Sequence, residues 1–150
     1  MRSKTKLLKS PKKAIKKLEK VAKSLKGPDS VKVGLPKGSN DYPDGTSVIM
    51  VGSVHEFGSP SKGIPQRSFL RVTMEKGRRE YRQLFKKLAK KIVNGKMTKE
   101  QALGVIGIQV QGDVQERITK GISPKLKSRE GTALIDTGHL RQSITYEVQS

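Results

Sequence analysis

The Asp-Thr-Gly triplet at residues 136–138, which follows two aliphatic residues, has the clearest potential for chemistry. Aspartic proteases present a catalytic carboxylate in this way, and two such aspartates share one proton. In those enzymes most of the fold follows the triplet, whereas only fourteen residues follow Asp136 here, and His139 replaces the usual small residue. We therefore expect a tight turn in which Asp136 and Thr137 accept backbone hydrogen bonds and Gly138 adopts a conformation that other residues avoid.

The two histidines, His55 and His139, are the other candidates for acid–base or metal chemistry. The chain has no cysteine and no carboxylate cluster beside either histidine, so we expect no disulfide, metal or cofactor. His55 and Glu56 could act as a general-base pair, but their place at the end of an apolar segment favours a structural role. Glu56 and Arg67 flank one loop, and we expect them to form a stabilising ion pair. We expect no enzymatic activity.

Charge is the strongest feature of the composition. The net charge is +19, and residues 1–26 contribute eleven basic residues against the single acid Glu19. This predicts an acidic partner, which could be nucleic acid, an anionic membrane or an acidic protein surface. No apolar core of a signal peptide and no stretch of about 20 apolar residues is present. We expect the chain to act in a cytoplasm or in a particle assembled there.

The N-terminal segment predicts a disordered basic tail at residues 1–9, followed by a basic helix at residues 10–26. Ser10 is a suitable N-cap, Pro11 suits the first helical position and Gly27 is a suitable stop. We call residues 10–26 the basic arm. Its narrow apolar stripe consists of Ile15, Leu18, Ala22 and Leu25.

Lysines cover the other sides of the basic arm. Those that we expect to contact a partner are Lys12, Lys13, Lys16, Lys17, Lys20 and Lys23. Three interpretations are open: the arm lies on nucleic acid phosphates, it lies on an anionic membrane, or it is a solvated helix docked through its stripe. The stripe lacks the Trp or Phe that membrane-surface helices favour. The few aromatic residues of the chain offer no stacking platform for single strands.

Helical spacing predicts two further helices before residue 96. The segment "SVIMVGSVHEFG" predicts a short buried helix that stops at Gly58, with Val48, Val51 and Val54 at helical spacing and Ile49 and Phe57 flanking. A strand is the alternative for so valine-rich a run. A long helix is predicted from Ser68 and is closed by Gly95. Its apolar seam consists of Leu70, Met74, Gly77, Tyr81, Leu84 and Leu88, with Phe85 and Ile92 beside it.

A second long helix is predicted after Thr98, which has the spacing of a capping box with Gln101. Its apolar stripe consists of Leu103, Ile106, Val110, Val114 and Ile118. Glycine costs about 1 kcal/mol relative to alanine inside a helix. We therefore interpret Gly104, Gly107 and Gly112 as positions where another backbone approaches closely.

Two segments with alternating apolar residues, residues 31–35 and 144–148, predict strands. Helices and strands do not alternate regularly, which argues against a doubly wound fold. We predict an α+β fold in which a small, mainly antiparallel sheet packs against two long helices, with shorter N-terminal helices. Residues 30–150 would form the single domain.

Three pieces in order resemble the neck, or head–tail connector, proteins of tailed bacteriophages, also described as tail-completion or minor tail components. They are residues 44–71 with "HEFGSP" and "IPQRSFLR", the long helices that follow, and residues 134–148 with "LIDTGHLRQSI". The resemblance covers about residues 31–148. It departs at Gln66 and Ser68, where a small residue and a proline are more usual, and in the basic arm.

The resemblance implies a structural virion protein of the head–tail junction, assembled in the host cytoplasm as a ring of six or twelve copies. Its partners would be itself, the head connector or adaptor and the tail terminator, without a membrane or cofactor. The matching positions are Glu56, Phe57, Gly58, Pro65, Arg67, Phe69, Leu70, Asp136, Thr137 and Gly138. The arm would contact DNA or an acidic neighbour. The alternative function is a stand-alone basic protein that binds nucleic acid.

Overall fold

The computed structural model describes residues 11–124 and 138–149. In chain order these residues form α1 (Pro11–Ser24), β1 (Ser30–Gly34), α2 (Val48–Phe57), α3 (Arg71–Val93), α4 (Lys99–Lys120), α5 (His139–Ser143) and β2 (Thr145–Gln149). A single 3-10 turn, Pro60–Lys62, lies between α2 and α3. The predicted tail at residues 1–9, the cap at Ser10, and Asp136 and Thr137 lie outside the described residues. The α+β class predicted from the sequence is confirmed.

The sheet consists of β1 and β2, which pair antiparallel with Val31 opposite Val148 and Val33 opposite Tyr146. Both strands alternate as predicted, and both contact α4. The close approach expected at the glycines of α4 occurs at Gly107, where an added Cβ would lie 2.4 Å from the Tyr146 ring. The neighbour is thus a side chain and not a backbone, which corrects the prediction.

Helix α4 is the centre of the fold. The Thr98 hydroxyl accepts a hydrogen bond from the Gln101 N–H at 3.2 Å, and the Gln101 side chain accepts one from the Thr98 N–H at 3.0 Å. The predicted capping box is therefore confirmed. Every residue of the predicted apolar stripe is buried: Leu103, Ile106, Val110, Val114 and Ile118.

Helix α3 packs against α4 through Tyr81, Leu88 and Ile92, which are buried. It begins at Arg71, three residues later than predicted, and Gly95 follows its end with a φ of 66°. The predicted seam is only partly covered, because Met74 remains 49% exposed and the flanking Phe85 is 48% exposed. Only one side of α3 borders the core. Side chains that lie off the line of Tyr81, Leu88 and Ile92 therefore face solvent.

The basic arm is helical as predicted, and α1 contacts α3. The Lys20 side chain lies over Gly95, which places α1 beside the end of α3. The predicted stripe does not mediate this contact, since Ile15, Leu18 and Leu25 are each more than half exposed. The half-buried positions are Ala14, Val21 and Ser24. The side of α1 that is covered is therefore offset from the predicted stripe.

Candidate functional site: the Glu56 corner and the surfaces around it

Glu56 organises the corner between α2 and α3. Its side chain is buried, and Oε1 accepts hydrogen bonds from the Ser68 hydroxyl at 2.6 Å and the Arg71 N–H at 3.0 Å. Oε2 accepts from the N–H groups of Phe69 at 2.8 Å and Leu70 at 2.9 Å. The first N–H groups of a helix lack partners within the helix. A negative charge beside them also interacts favourably with the positive end of the helix dipole. Glu56 therefore caps α3 from another helix.

The same contacts set the ionisation of Glu56. Burial is the largest influence and raises the pKa of its carboxyl. The hydrogen bonds from Ser68 and from the backbone of Leu70, Arg71 and Phe69 together outweigh burial, so the pKa lies below its ordinary value. Glu56 is thus a carboxylate at neutral pH, with both oxygens engaged in holding the start of α3.

The predicted ion pair between Glu56 and Arg67 is wrong. Ion pairs within the described ranges join Arg71 to Glu75, Lys99 to Asp29 and Lys120 to Glu116. Arg67 is buried, its Nε donates to the Pro124 carbonyl at 2.8 Å, and its N–H donates to the His55 carbonyl at 2.7 Å. Four other donors already occupy the Glu56 oxygens, so the guanidinium is directed elsewhere.

His55 lies at the end of α2 beside this corner. Its Nδ1 is buried without a hydrogen-bond partner among the described residues. Burial, and secondly the positive charge of Arg67, lower the pKa of His55. The structural role predicted for the His55–Glu56 pair agrees with this geometry, since the Glu56 carboxylate points to the start of α3.

The loop after α2 is held by a close backbone contact at Gly58 and by a hydrogen bond from the Gln66 side chain. Gly58 stops the helix as predicted, with a φ of 77°, and an added Cβ would lie 3.0 Å from the Gln66 nitrogen. The Gln66 side chain donates to the Glu56 carbonyl at 2.9 Å. Pro65 is exposed, whereas Phe69 is fully buried in the core and Leu70 is half-buried.

The described part of the C-terminal motif, from Gly138 onward, packs on α2 through α5. Gly138 is buried, has a φ of 75° and precedes α5, which packs on α2. A Cβ at Gly52 of α2 would lie 3.4 Å from Leu140 and 3.7 Å from Phe69. Two segments separated by about half the chain, those of "IPQRSFLR" and "LIDTGHLRQSI", therefore meet at one glycine.

His139 joins this corner to a loop, which the sequence analysis missed. Its Nε2 lies 2.7 Å from the Asn40 carbonyl, and its ring lies 4.6 Å from that of Tyr42. The chain separation of about 100 residues gives no local signal for this contact. The contact explains why a histidine follows Gly138 without implying catalysis.

Helix α2 is not buried as predicted. Its core side consists of Val48, Gly52 and Glu56, four residues apart. Of the predicted valines Val48 is buried, whereas Val51 and Val54 are half-buried. Phe57 is 76% exposed. Glu56 takes a core position, where it accepts hydrogen bonds from residues 68–71, and the apolar Met50 and Phe57 face solvent.

A basic surface extends beyond the predicted arm. The arm lysines Lys12, Lys13, Lys16, Lys17, Lys20 and Lys23 are exposed. On the solvent side of α3, Arg79, Arg82, Lys86 and Lys90 follow one another at steps of three and four residues and are also exposed. None of these residues takes part in the ion pairs found within the described ranges. We call these four α3 residues the basic stripe.

A groove of about 400 Å³ separates α3 from α4. Within it the Tyr81 hydroxyl donates to Asp113 at 2.7 Å, and burial, followed by Asp113, raises the pKa of Tyr81. Tyr81 is thus held as a neutral donor that links the two long helices.

No helix in the described part of the chain is long and apolar enough to cross a membrane. Within residues 11–124 and 138–149, no three His, Asp or Glu side chains come together as metal ligands. Comparison with protein-family models, with curated proteins and with solved structures gives no match for this chain.

Proposed function

We propose that the chain is a structural virion protein of the head–tail junction of a tailed bacteriophage, a neck or tail-completion protein that acts by assembly as a ring. One observation carries this proposal: the segments that resemble neck proteins converge on the Glu56 corner. Glu56 caps α3, Gly58 closes the loop, and Phe69 and Leu140 meet beside Gly52. Among the described motif residues, Glu56, Gly58 and Phe69 thus hold the connection from α2 to α3 in place.

The exposed apolar side chains support an assembling subunit. Phe57, a motif residue, extends from the Glu56 corner into solvent at 76% exposure. Large exposed apolar patches mark interaction sites. The strong positive charge supports acidic neighbours in the junction, because complementary potentials attract and orient partners.

The proposal is tested in the virus that carries the gene. We expect a nonsense mutant to accumulate filled heads and separate tails, which electron microscopy would count, and a plasmid copy of the gene to restore joined particles. Normal infectious particles from the mutant would refute the proposed function. A plasmid copy with Glu75→Ala is the matched control, since Glu75 is exposed and forms only a surface pair with Arg71.

The basic surface favours a second candidate function, binding of duplex nucleic acid by the isolated chain. The basic arm and the basic stripe belong to helices that contact each other, so their charges can act on one polyanion. Each phosphate neutralised by such a surface steepens the salt dependence of binding.

The two candidates are separated by mass photometry of the purified chain across a salt series, with and without duplex DNA. Rings, or monomers indifferent to DNA, support the neck function. Monomers that bind DNA tightly with a steep salt slope support the nucleic-acid function.

A further inference from the structure

The two-stranded sheet has two open edges. β1 and β2 pair only with each other, so each strand has an outer edge that faces away from its partner. Among the described residues, the only further backbone hydrogen bond to residues 30–34 or 145–149 comes from the Asp29 N–H, which extends the pairing to the Gln149 carbonyl. Unpaired N–H and C=O groups along a strand edge are a template for another strand.

The apolar side of the sheet is incompletely covered. Val31 and Tyr146 lie against Gly107 of α4, and the alternation of side chains places Val33 and Val148 on the same side. All four remain half-buried, although they face the central helix of the fold. A strand added at either outer edge would cover more of this apolar surface.

The two strands carry opposite charges on their solvent side. Lys32 is the charged residue of β1 and Glu147 that of β2, and both are exposed. They occupy opposite positions in the register of the sheet. Opposite charges that face each other across two strands are stabilising, and like charges are destabilising. An edge of β1 is therefore complementary to an edge of β2, whereas two edges of the same strand would bring like charges together.

The hydrogen-bonding groups of the two outer edges are also complementary. In an antiparallel pair, two residues directly opposite each other either exchange hydrogen bonds or both direct their N–H and C=O groups outward. The positions that face outward on β1 therefore match the positions that face outward on β2. A neighbouring copy that repeats the register of Lys32 with Glu147 would bring outward donors to outward acceptors. The fold itself shows that these two strands pair in this register.

We propose that the outer edge of β1 in one copy of the chain pairs antiparallel with the outer edge of β2 in the next copy, in the register found within the chain. The occupant is a second copy, because the strand that matches each edge in side chains, charge and register is the chain's own other strand. A contact between two different edges is head-to-tail and generates a ring where the rotation closes. The net charge of +19 resides mostly in residues 1–26 and α3, outside both strands, and salt screens its repulsion.

This inference rests on the proposed function, since it identifies the contact between ring subunits. The test uses the full chain with Lys32→Glu, with Glu147→Lys, and with both changes in a double variant. Lys62→Glu and Glu75→Lys are the matched controls, because they change the net charge equally at exposed positions outside the strands. Circular dichroism would verify folding. Sedimentation velocity over a concentration series at about 0.15 M salt would measure assembly.

We expect the wild type and both controls to form oligomers. The dissociation constant of each single strand variant should rise about tenfold, because attraction between neighbouring strands becomes repulsion. Lys32→Glu is the more informative of the two, since it lowers the net charge and thereby weakens the general repulsion between copies. An equimolar mixture of the two single variants should assemble as the wild type does, because β1 of each then meets an opposite charge on β2 of the other.

The double variant keeps the test decisive where a single variant fails to fold, because it restores opposite charges within the chain. It should assemble with itself, and native mass spectrometry of its mixture with the wild type should show few mixed oligomers.

A wild type that is monomeric at every concentration, or that associates only with an added junction protein, would overturn the inference. Single variants that assemble as well as the wild type, a mixture of them that assembles no better than each alone, or a double variant that mixes freely with the wild type would do the same.

The virus assay separates this inference from the proposed function. Strand variants that assemble as the wild type does, together with a nonsense mutant that yields separate heads and tails, would overturn the interface and leave the neck function standing. Assembly that follows the strand charges, together with a fully infectious nonsense mutant, would support the interface and refute the neck function.

Discussion

The Glu56 corner and the lysine-covered helices use charge in opposite ways. At the corner, one buried carboxylate accepts four hydrogen bonds from residues 68–71. On α1 and the basic stripe of α3, ten exposed cationic side chains take no part in the ion pairs found among the described residues. Charge at the corner therefore determines the fold, whereas charge on α1 and the basic stripe remains available to a partner.

The largest expected effect is that of Glu56→Ala. This variant leaves three backbone N–H groups and the Ser68 hydroxyl without their acceptor in a buried site, where an unmade hydrogen bond costs about 1–3 kcal/mol. We expect the free energy of unfolding to fall by about 3 kcal/mol or more, measured by urea denaturation. Glu75→Ala is the control, with an expected change within about 0.5 kcal/mol. Equal losses of unfolding free energy in both variants would contradict the conclusion that the buried Glu56 carboxylate determines the fold.

Acid should destabilise the corner next most strongly. The pKa of His55 is lower in the folded chain than in the unfolded chain, so the unfolded state binds more protons as the pH falls below about 6.5. The melting temperature should therefore fall as the pH is lowered through this range, and the lowered pKa of Glu56 should add to the loss below about 4.5. His55→Gln should flatten the profile between about pH 7 and about pH 5.5. An unchanged slope in this variant would contradict the assignment to His55.

Deletion of residues 1–26 should affect folding little. The arm lysines and most of the apolar stripe are exposed, and α1 contacts the body through few side chains. We expect a change in the free energy of unfolding below about 1 kcal/mol, measured at high salt so that the removal of charge does not dominate. Binding to duplex DNA should weaken strongly in the same variant. A truncated chain that no longer unfolds cooperatively would show that the arm belongs to the folded core.

The smallest effect on stability is expected for Lys86→Gln combined with Lys90→Gln in the basic stripe. Both side chains are exposed, so the free energy of unfolding should change by less than about 0.5 kcal/mol. The logarithmic salt slope of DNA binding should decrease by about one for each phosphate that the variant no longer neutralises. Lys62→Gln, an exposed lysine on the 3-10 turn, is the control. Equal slopes in both variants would exclude the stripe as a DNA-binding surface.

The candidate site could be predicted only in part. The sequence indicated Glu56, Gly58, Phe69 and Gly138 as motif positions. Glu56, Gly58 and Phe69 lie at one corner, and Leu140, two residues after Gly138, approaches Phe69 beside Gly52. The sequence analysis paired Glu56 with Arg67 because opposite charges flanked one loop. Sequence patterns do not show which donors a buried carboxylate will reach, and the backbone N–H groups at the start of α3 left no room for the guanidinium.

The sequence by itself determined the local elements of this protein. The capping box of Thr98 and Gln101, the stops at Gly58 and Gly95 and the alternation in both strands depend on hydrogen bonds and backbone conformations among near neighbours. The tertiary structure alone decided which side of each helix is covered. The α1 stripe and Phe57 are apolar yet exposed, whereas Glu56 is charged yet buried. Burial depends on what a distant segment supplies, and the start of α3 supplied the donors that make a buried carboxylate favourable.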